Sequence, residues 1–82
     1  MRIDKFLNSV NLTKRRSIAE DMLANKVVFL NDIAVKKAKE VKIGDTIKLQ
    51  YLEYDEVYKI LQIPKTKSTP KSAQGDYVCQ IK

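Results

Sequence analysis

TKRRSIAEDMLANKVVFLNDIAV, residues 13–35, changes its hydrophobic period part-way along, and that change decides the fold. Up to Ala24 the apolar residues Ile18, Ala19, Met22 and Leu23 fall three and four apart, on one face of a helix. The spacing predicts a helix from about Lys14 to Ala24, with Thr13 as N-cap and Asn25 ending it in left-handed backbone. Val27-Val28-Phe29-Leu30 then reads as a strand, Asn31-Asp32 as a tight turn, and Ile33-Ala34-Val35 as the returning strand. The helix has one feature that folding does not favour. Lys14, Arg15 and Arg16 occupy its expected first turn, where the backbone already carries partial positive charge. The phosphates of a ligand would neutralise charges that are unfavourable without it.

Upstream, Ile3, Phe6, Leu7 and Val10 repeat the helical spacing, and Asn11-Leu12 breaks it. Downstream, Lys36 to Glu40 is a polar connection and Gly44-Asp45 a turn. Ile47, Leu49 and Tyr51 then alternate with Lys48 and Gln50 as a half-buried strand. Val57 to Ile63 reads as a further strand, Pro64 to Asp76 as a mobile Lys/Ser/Thr/Pro-rich loop, and Tyr77 to Ile81 as a closing strand. The expected class is α+β: two N-terminal helices packed on a small antiparallel sheet of about four to five strands. Residues 1–50 form the core unit, and residues 51–82 add strands and a basic loop to the same single domain. If the two helices run antiparallel, the start of the first lies near the end of the second, so the pattern alone does not bring Arg2 to Arg16.

The chain has 82 residues, 16 Lys and Arg against 10 Asp and Glu, and a net charge of +6. Residues 1–50 hold 11 of the 16 bases and 6 of the 10 acids, so +5 of the +6 lies there. This balance favours an anionic partner: nucleic acid, a membrane surface or an acidic protein. No histidine is present, which removes His-based metal binding and catalysis. The single Cys79 cannot form an intramolecular disulfide and has no base to activate it, so a small strand residue is the simplest reading. Asp4 fits a role in steadying the first helical turn or orienting a neighbouring arginine better than a catalytic one. Glu20 and Asp21 are adjacent and do not face each other on a helix. Tyr51, Tyr54, Tyr58 and Tyr77 suit half-buried sheet positions as well as base stacking. No apolar run reaches membrane-spanning length, and Asp4 and Lys5 interrupt the N-terminus where a signal peptide would be apolar. The expectation is a cytoplasmic monomer without membrane association, enzymatic activity, cofactor or metal.

Three stretches in order, Arg2-Ile3-Asp4-Lys5-Phe6-Leu7, Arg16-Ser17 with Ala19, and Asn31 and Lys36 followed by Val41 through Gly44-Asp45, resemble the S-four domain. This is the αL RNA-binding module named after a small-subunit ribosomal protein. The resemblance covers about residues 1–50. It departs from the family at Asn25, where glycine is usual, and at Asn31-Asp32, where Asn-Gly is usual; both replacements tolerate left-handed backbone. Free-standing domains of this length are similar to the bacterial ribosome-quality-control protein P family and to the small heat-shock S-four family. The resemblance implies binding to large-subunit rRNA and to tRNA on large ribosomal subunits stalled with a nascent chain. It also implies support for template-free tailing of the stalled peptide, with a tailing factor as a further partner. The RNA-contacting residues expected on residue type and resemblance together are Arg2, Lys5, Thr13, Lys14, Arg15, Arg16, Asn31, Lys36 and Lys37. The alternatives are a module for an acidic protein and a general RNA- or DNA-binding domain not tied to the ribosome.

Overall fold

A computed structural model describes residues 1–66 and 68–81. Lys67, inside the expected loop, and Lys82, the last residue of the second segment, lie outside the described residues.

The first helix, α1, spans Ile3–Ser9. Its apolar stripe is wholly internal: Ile3, Phe6, Leu7 and Val10 are fully buried. Asn11 follows the C-cap at φ 63° and turns the chain, a left-handed position that asparagine accepts at low cost. The second helix, α2, is Arg16–Ala24, two residues shorter at its start than the spacing predicts. Arg15 is its N-cap, in extended backbone and without a side-chain cap. Thr13 is not the cap: its hydroxyl donates to the Arg15 carbonyl at 3.3 Å, holding the approach to the helix rather than its first amides. The cation cost is therefore smaller than expected, because Arg16 alone stands inside the first turn. On the apolar face Ala19 and Leu23 are buried, Met22 is half-buried and Ile18 remains exposed. The left-handed residue after α2 is Lys26 (φ 59°), one position beyond Asn25 (φ −84°).

The strands are β1 (Val28–Leu30), β2 (Ile33–Ala34), β3 (Thr46–Gln50), β4 (Asp55–Ile60) and β5 (Val78–Gln80). They form one antiparallel sheet in the order β2-β1-β3-β4-β5. Strand β4 starts two residues before the predicted Val57 and ends at Ile60, leaving Leu61 to Ile63 outside it, and β5 leaves out Tyr77, which ends α3, and Ile81. Alternation places Val28, Leu30, Ile47, Leu49, Tyr58 and Ile60 in the buried cluster with α1 and α2. Phe29 lies on the opposite face, beneath the Lys48 ammonium 4.5 Å from its ring centre.

The β1–β2 turn places both Asn31 (φ 52°) and Asp32 (φ 68°) in left-handed backbone, the requirement of a type I′ hairpin. Asn31 also ties this turn to β3. Its side-chain oxygen accepts the Thr46 N–H at 2.9 Å and its amide donates to Asp45 at 3.1 Å.

The stretch expected to be a mobile loop is folded onto the helices. It contains a 3₁₀ turn, Lys71–Ala73, and a one-turn helix, α3 (Gln74–Tyr77). Thr69 is buried and donates from both N–H (3.0 Å) and hydroxyl (2.7 Å) to the Ser9 carbonyl. Asn11 donates to the Thr69 carbonyl, and Gln74 to the Val10 carbonyl, each at 2.8 Å. The end of α1 leaves carbonyls without helical partners, and this segment supplies their donors. Polar composition signals a loop; these orphan acceptors turn it into a clasp.

Candidate nucleic-acid interface

The interface begins with how the N-terminus is held. The Ile3 N–H donates to the Lys39 carbonyl at 2.7 Å, and the Val41 N–H to the Met1 carbonyl at 3.0 Å. The N-terminal ammonium pairs with Glu40 at 2.7 Å, and this contact lowers the Glu40 pKa. The stretch around Lys37 to Val41 is thereby laid along the start of α1.

At the centre sits Asp4, a carboxylate with no solvent exposure. One oxygen accepts the Lys5 N–H at 2.8 Å. The other accepts from Arg2 at 3.0 Å and from Arg16 at 3.3 Å. A buried unpaired carboxylate is costly, so the two guanidinium groups are held firmly against it. Both remain partly open to solvent, with side chains 36% and 46% exposed, so Asp4 fixes their position without covering them. Packing order alone did not bring Arg2 and Arg16 together. The long Arg16 side chain closes that gap by reaching from the start of α2 to the start of α1.

The row continues. Arg16 Nε lies 3.6 Å from Glu20, and the other Glu20 oxygen lies 3.7 Å from the Lys37 ammonium. These outer pairs are exposed and add little stability, but they bring Lys37 into line with the arginines. Glu20 was not among the expected site residues; its i,i+4 spacing from Arg16 was the signal available. Beyond Lys37, Leu23, Ala24, Ala34, Val35 and Lys36 line a groove of about 700 Å³ between α2 and the hairpin.

The other expected residues divide by what they touch. Lys5, Lys14 and Arg15 are exposed, the first on α1 and the others on the approach to α2. Lys36 is exposed beside Lys37. Thr13 is buried and engaged with the Arg15 carbonyl, which suits it to shaping the surface. Asn31 is exposed, but its side chain is bound to Asp45 and Thr46. The Arg2 Nε is buried and has no hydrogen-bond partner among the described residues. Among the described residues there is no group of three or more His, Cys, Asp or Glu suited to a metal ion. None of their helices is long and apolar enough to cross a membrane.

The surface is thus a row of cations, two of them arginine forks held on Asp4, suited to phosphate oxygens. A scan against protein-family models finds no match. Similarity to whole proteins is extensive. The chain is 53% identical over 78 residues to a protein of Helicobacter pylori named RQC P-site tRNA stabilizing factor, covering 95% of this chain and 93% of the relative. It is 26% identical to one of the same name from Streptococcus pneumoniae, over 94% and 86% of the two chains. A solution structure of a hypothetical protein superposes with TM-score 0.86 at 50% identity, covering 100% of this chain and 98% of the other. The trimeric structure of Vibrio cholerae heat shock protein 15 gives TM-score 0.87 at 25% identity, over 98% and 80%. At 53% identity over 95% of its length, this chain belongs to the family of RQC P-site tRNA stabilizing factors.

Proposed function

We propose that this protein binds tRNA on the large ribosomal subunit during quality control of stalled nascent chains; its Helicobacter relatives are named RQC P-site tRNA stabilizing factors. It acts by binding, without catalysing a reaction, and such a role belongs in the cytoplasm. The observation that carries this reading is the buried Asp4 carboxylate, which orders Arg2 and Arg16 before any ligand arrives. Pre-ordered guanidinium groups bind phosphate without the entropy cost of immobilising two long side chains.

Arg2 and Arg16 form the fixed part of the interface, Lys37 continues their row, and Lys5, Lys14, Arg15 and Lys36 make its adaptable border. Thr13 and Asn31 support it by holding the α2 approach and the hairpin turn. A rigid cationic face of this kind reads backbone shape, which suits folded rRNA and tRNA better than base-edge recognition. By holding the tRNA in place, the protein would assist a tailing factor that extends the stalled peptide.

The test is sedimentation from gently lysed cells, wild type beside Arg16→Ala. Wild type is expected with large subunits carrying peptidyl-tRNA, and the variant at the top of the gradient. Wild type at the top would overturn the ribosomal reading. With purified RNA, neutralising about five phosphates predicts a log–log salt slope of about −3.5 to −4.5, and a slope near zero would overturn the electrostatic account.

A further inference from the structure

The turn between β3 and β4 has the opposite character to the rest of the molecule. Residues 49–58 contain Glu53, Asp55 and Glu56 and no Lys or Arg, in a chain whose net charge is +6. At its tip Leu52 is 104% exposed, so its side chain rests on nothing. Tyr54, two residues on, is 59% exposed. This apolar tip is nevertheless stiff. The Tyr51 N–H donates to the Tyr54 carbonyl at 2.8 Å, and the two rings stack at 4.9 Å between centres. Glu56 lies near the Tyr51 and Tyr58 hydroxyls, while Glu53 and Asp55 form no ion pair among the described residues.

Tyr54, held out on this stacked turn beside an exposed leucine, is of the residue type that anchors protein–protein contacts, and the leucine adds apolar area next to it. Its flanking charge selects the partner. Three carboxylates repel a phosphate backbone, so the aromatic pair is poorly placed for RNA bases. The same carboxylates complement lysine and arginine and would steer such a surface towards the tip.

We infer that the Tyr51–Glu56 turn is a docking knob for a protein partner, one presenting an apolar hollow rimmed by Lys and Arg. The molecule then has two binding surfaces of opposite charge: a cationic row for RNA and an acidic apolar knob for a basic protein. Neither surface requires the other.

The test is a photo-crosslinking residue at position 52 of the full chain in cells, with the joined partner peptide mapped by mass spectrometry. The expected product is a peptide with Lys or Arg flanking the crosslinked site. Its yield should fall at least about ten-fold when Glu53→Lys and Asp55→Lys are added. The purified partner should also bind Leu52→Ser at least about ten-fold more weakly than wild type. Because Leu52 touches nothing, Leu52→Ser should keep the wild-type circular dichroism and thermal midpoint. Crosslinks to RNA, to a second copy of this chain or to nothing, or a yield indifferent to charge reversal, would each overturn the proposal.

Discussion

Two regions of this protein hold distant segments together through polar groups, in opposite ways. At the start of α1, buried Asp4 joins Arg2 and Arg16, and both arginine side chains remain partly exposed. At the end of α1, the Ser9 carbonyl, Thr69, Asn11 and Gln74 join neutral groups with one another, and Thr69 is sealed from water. The second cluster completes the helix and is satisfied within the fold. The first anchors charge that is still available to another molecule. The comparison teaches that a buried polar link is used up within the fold when it closes on itself, and leaves charge available to another molecule when its partners stay partly exposed.

The hardest test of that distinction is the double variant Arg2→Ala/Arg16→Ala. It strands the Asp4 charge in the core, and the expected loss of stability is about 3–5 kcal/mol by denaturant unfolding. Adding Asp4→Asn should restore most of that stability and none of the RNA affinity. Recovery of binding together with stability would show that the arginines matter to folding alone.

Arg16→Ala by itself leaves Arg2 on Asp4, so the fold should survive while RNA affinity falls by roughly ten-fold. The salt slope should shrink by about 0.7–0.9, the share of one phosphate contact. A filter-binding series over salt concentration measures both.

At the other end of α1, Thr69→Val should cost about 1–2 kcal/mol by removing a buried hydroxyl bond, and leave the salt slope unchanged. In a domain of this size that corresponds to a fall in thermal midpoint of roughly 4–16 °C. A change in salt slope would mean the clasp also shapes the cationic row. A smaller effect, of opposite sign, is expected in the hairpin. Asp32→Gly relieves the left-handed strain at φ 68° and should stabilise by about 0.5–1 kcal/mol, without altering RNA binding.

The smallest effect appears only in alkali. Burial, with Glu56 nearby, pushes the Tyr58 hydroxyl up to about 12. The folded state therefore retains a proton that the unfolded chain releases near pH 10, so this contribution is complete below about pH 10 and is lost as pH rises towards 12. Phenolate absorbance should resolve a tyrosine titrating well above the usual phenol value near 10.

Much of this was legible in sequence because local periodicity is enforced by burial. Ile3, Phe6, Leu7 and Val10 lie inside as their spacing requires, and so do Ile47 and Leu49. The hairpin was legible in Asn31-Asp32, since few residues other than glycine accept two successive left-handed positions. The start of α2 was misjudged because Thr13 is a good cap by type, yet its hydroxyl finds the Arg15 carbonyl instead. Residues 64–76 read as a mobile loop because polar composition cannot reveal that α1 leaves acceptors for Thr69 and Gln74 to meet. The role of Tyr54 was equally hidden, since its exposure depends on where the β3–β4 turn projects.

The sequence by itself determined the two N-terminal helices, the hairpin, the excess of positive charge and the residues that carry it, because these depend on spacing and composition along the chain. Only the tertiary structure decided that Arg2, Arg16 and Lys37 form one row. Their alignment depends on a carboxylate that must be buried before it can hold two arginines, and burial is a property of the packed chain rather than of any stretch within it.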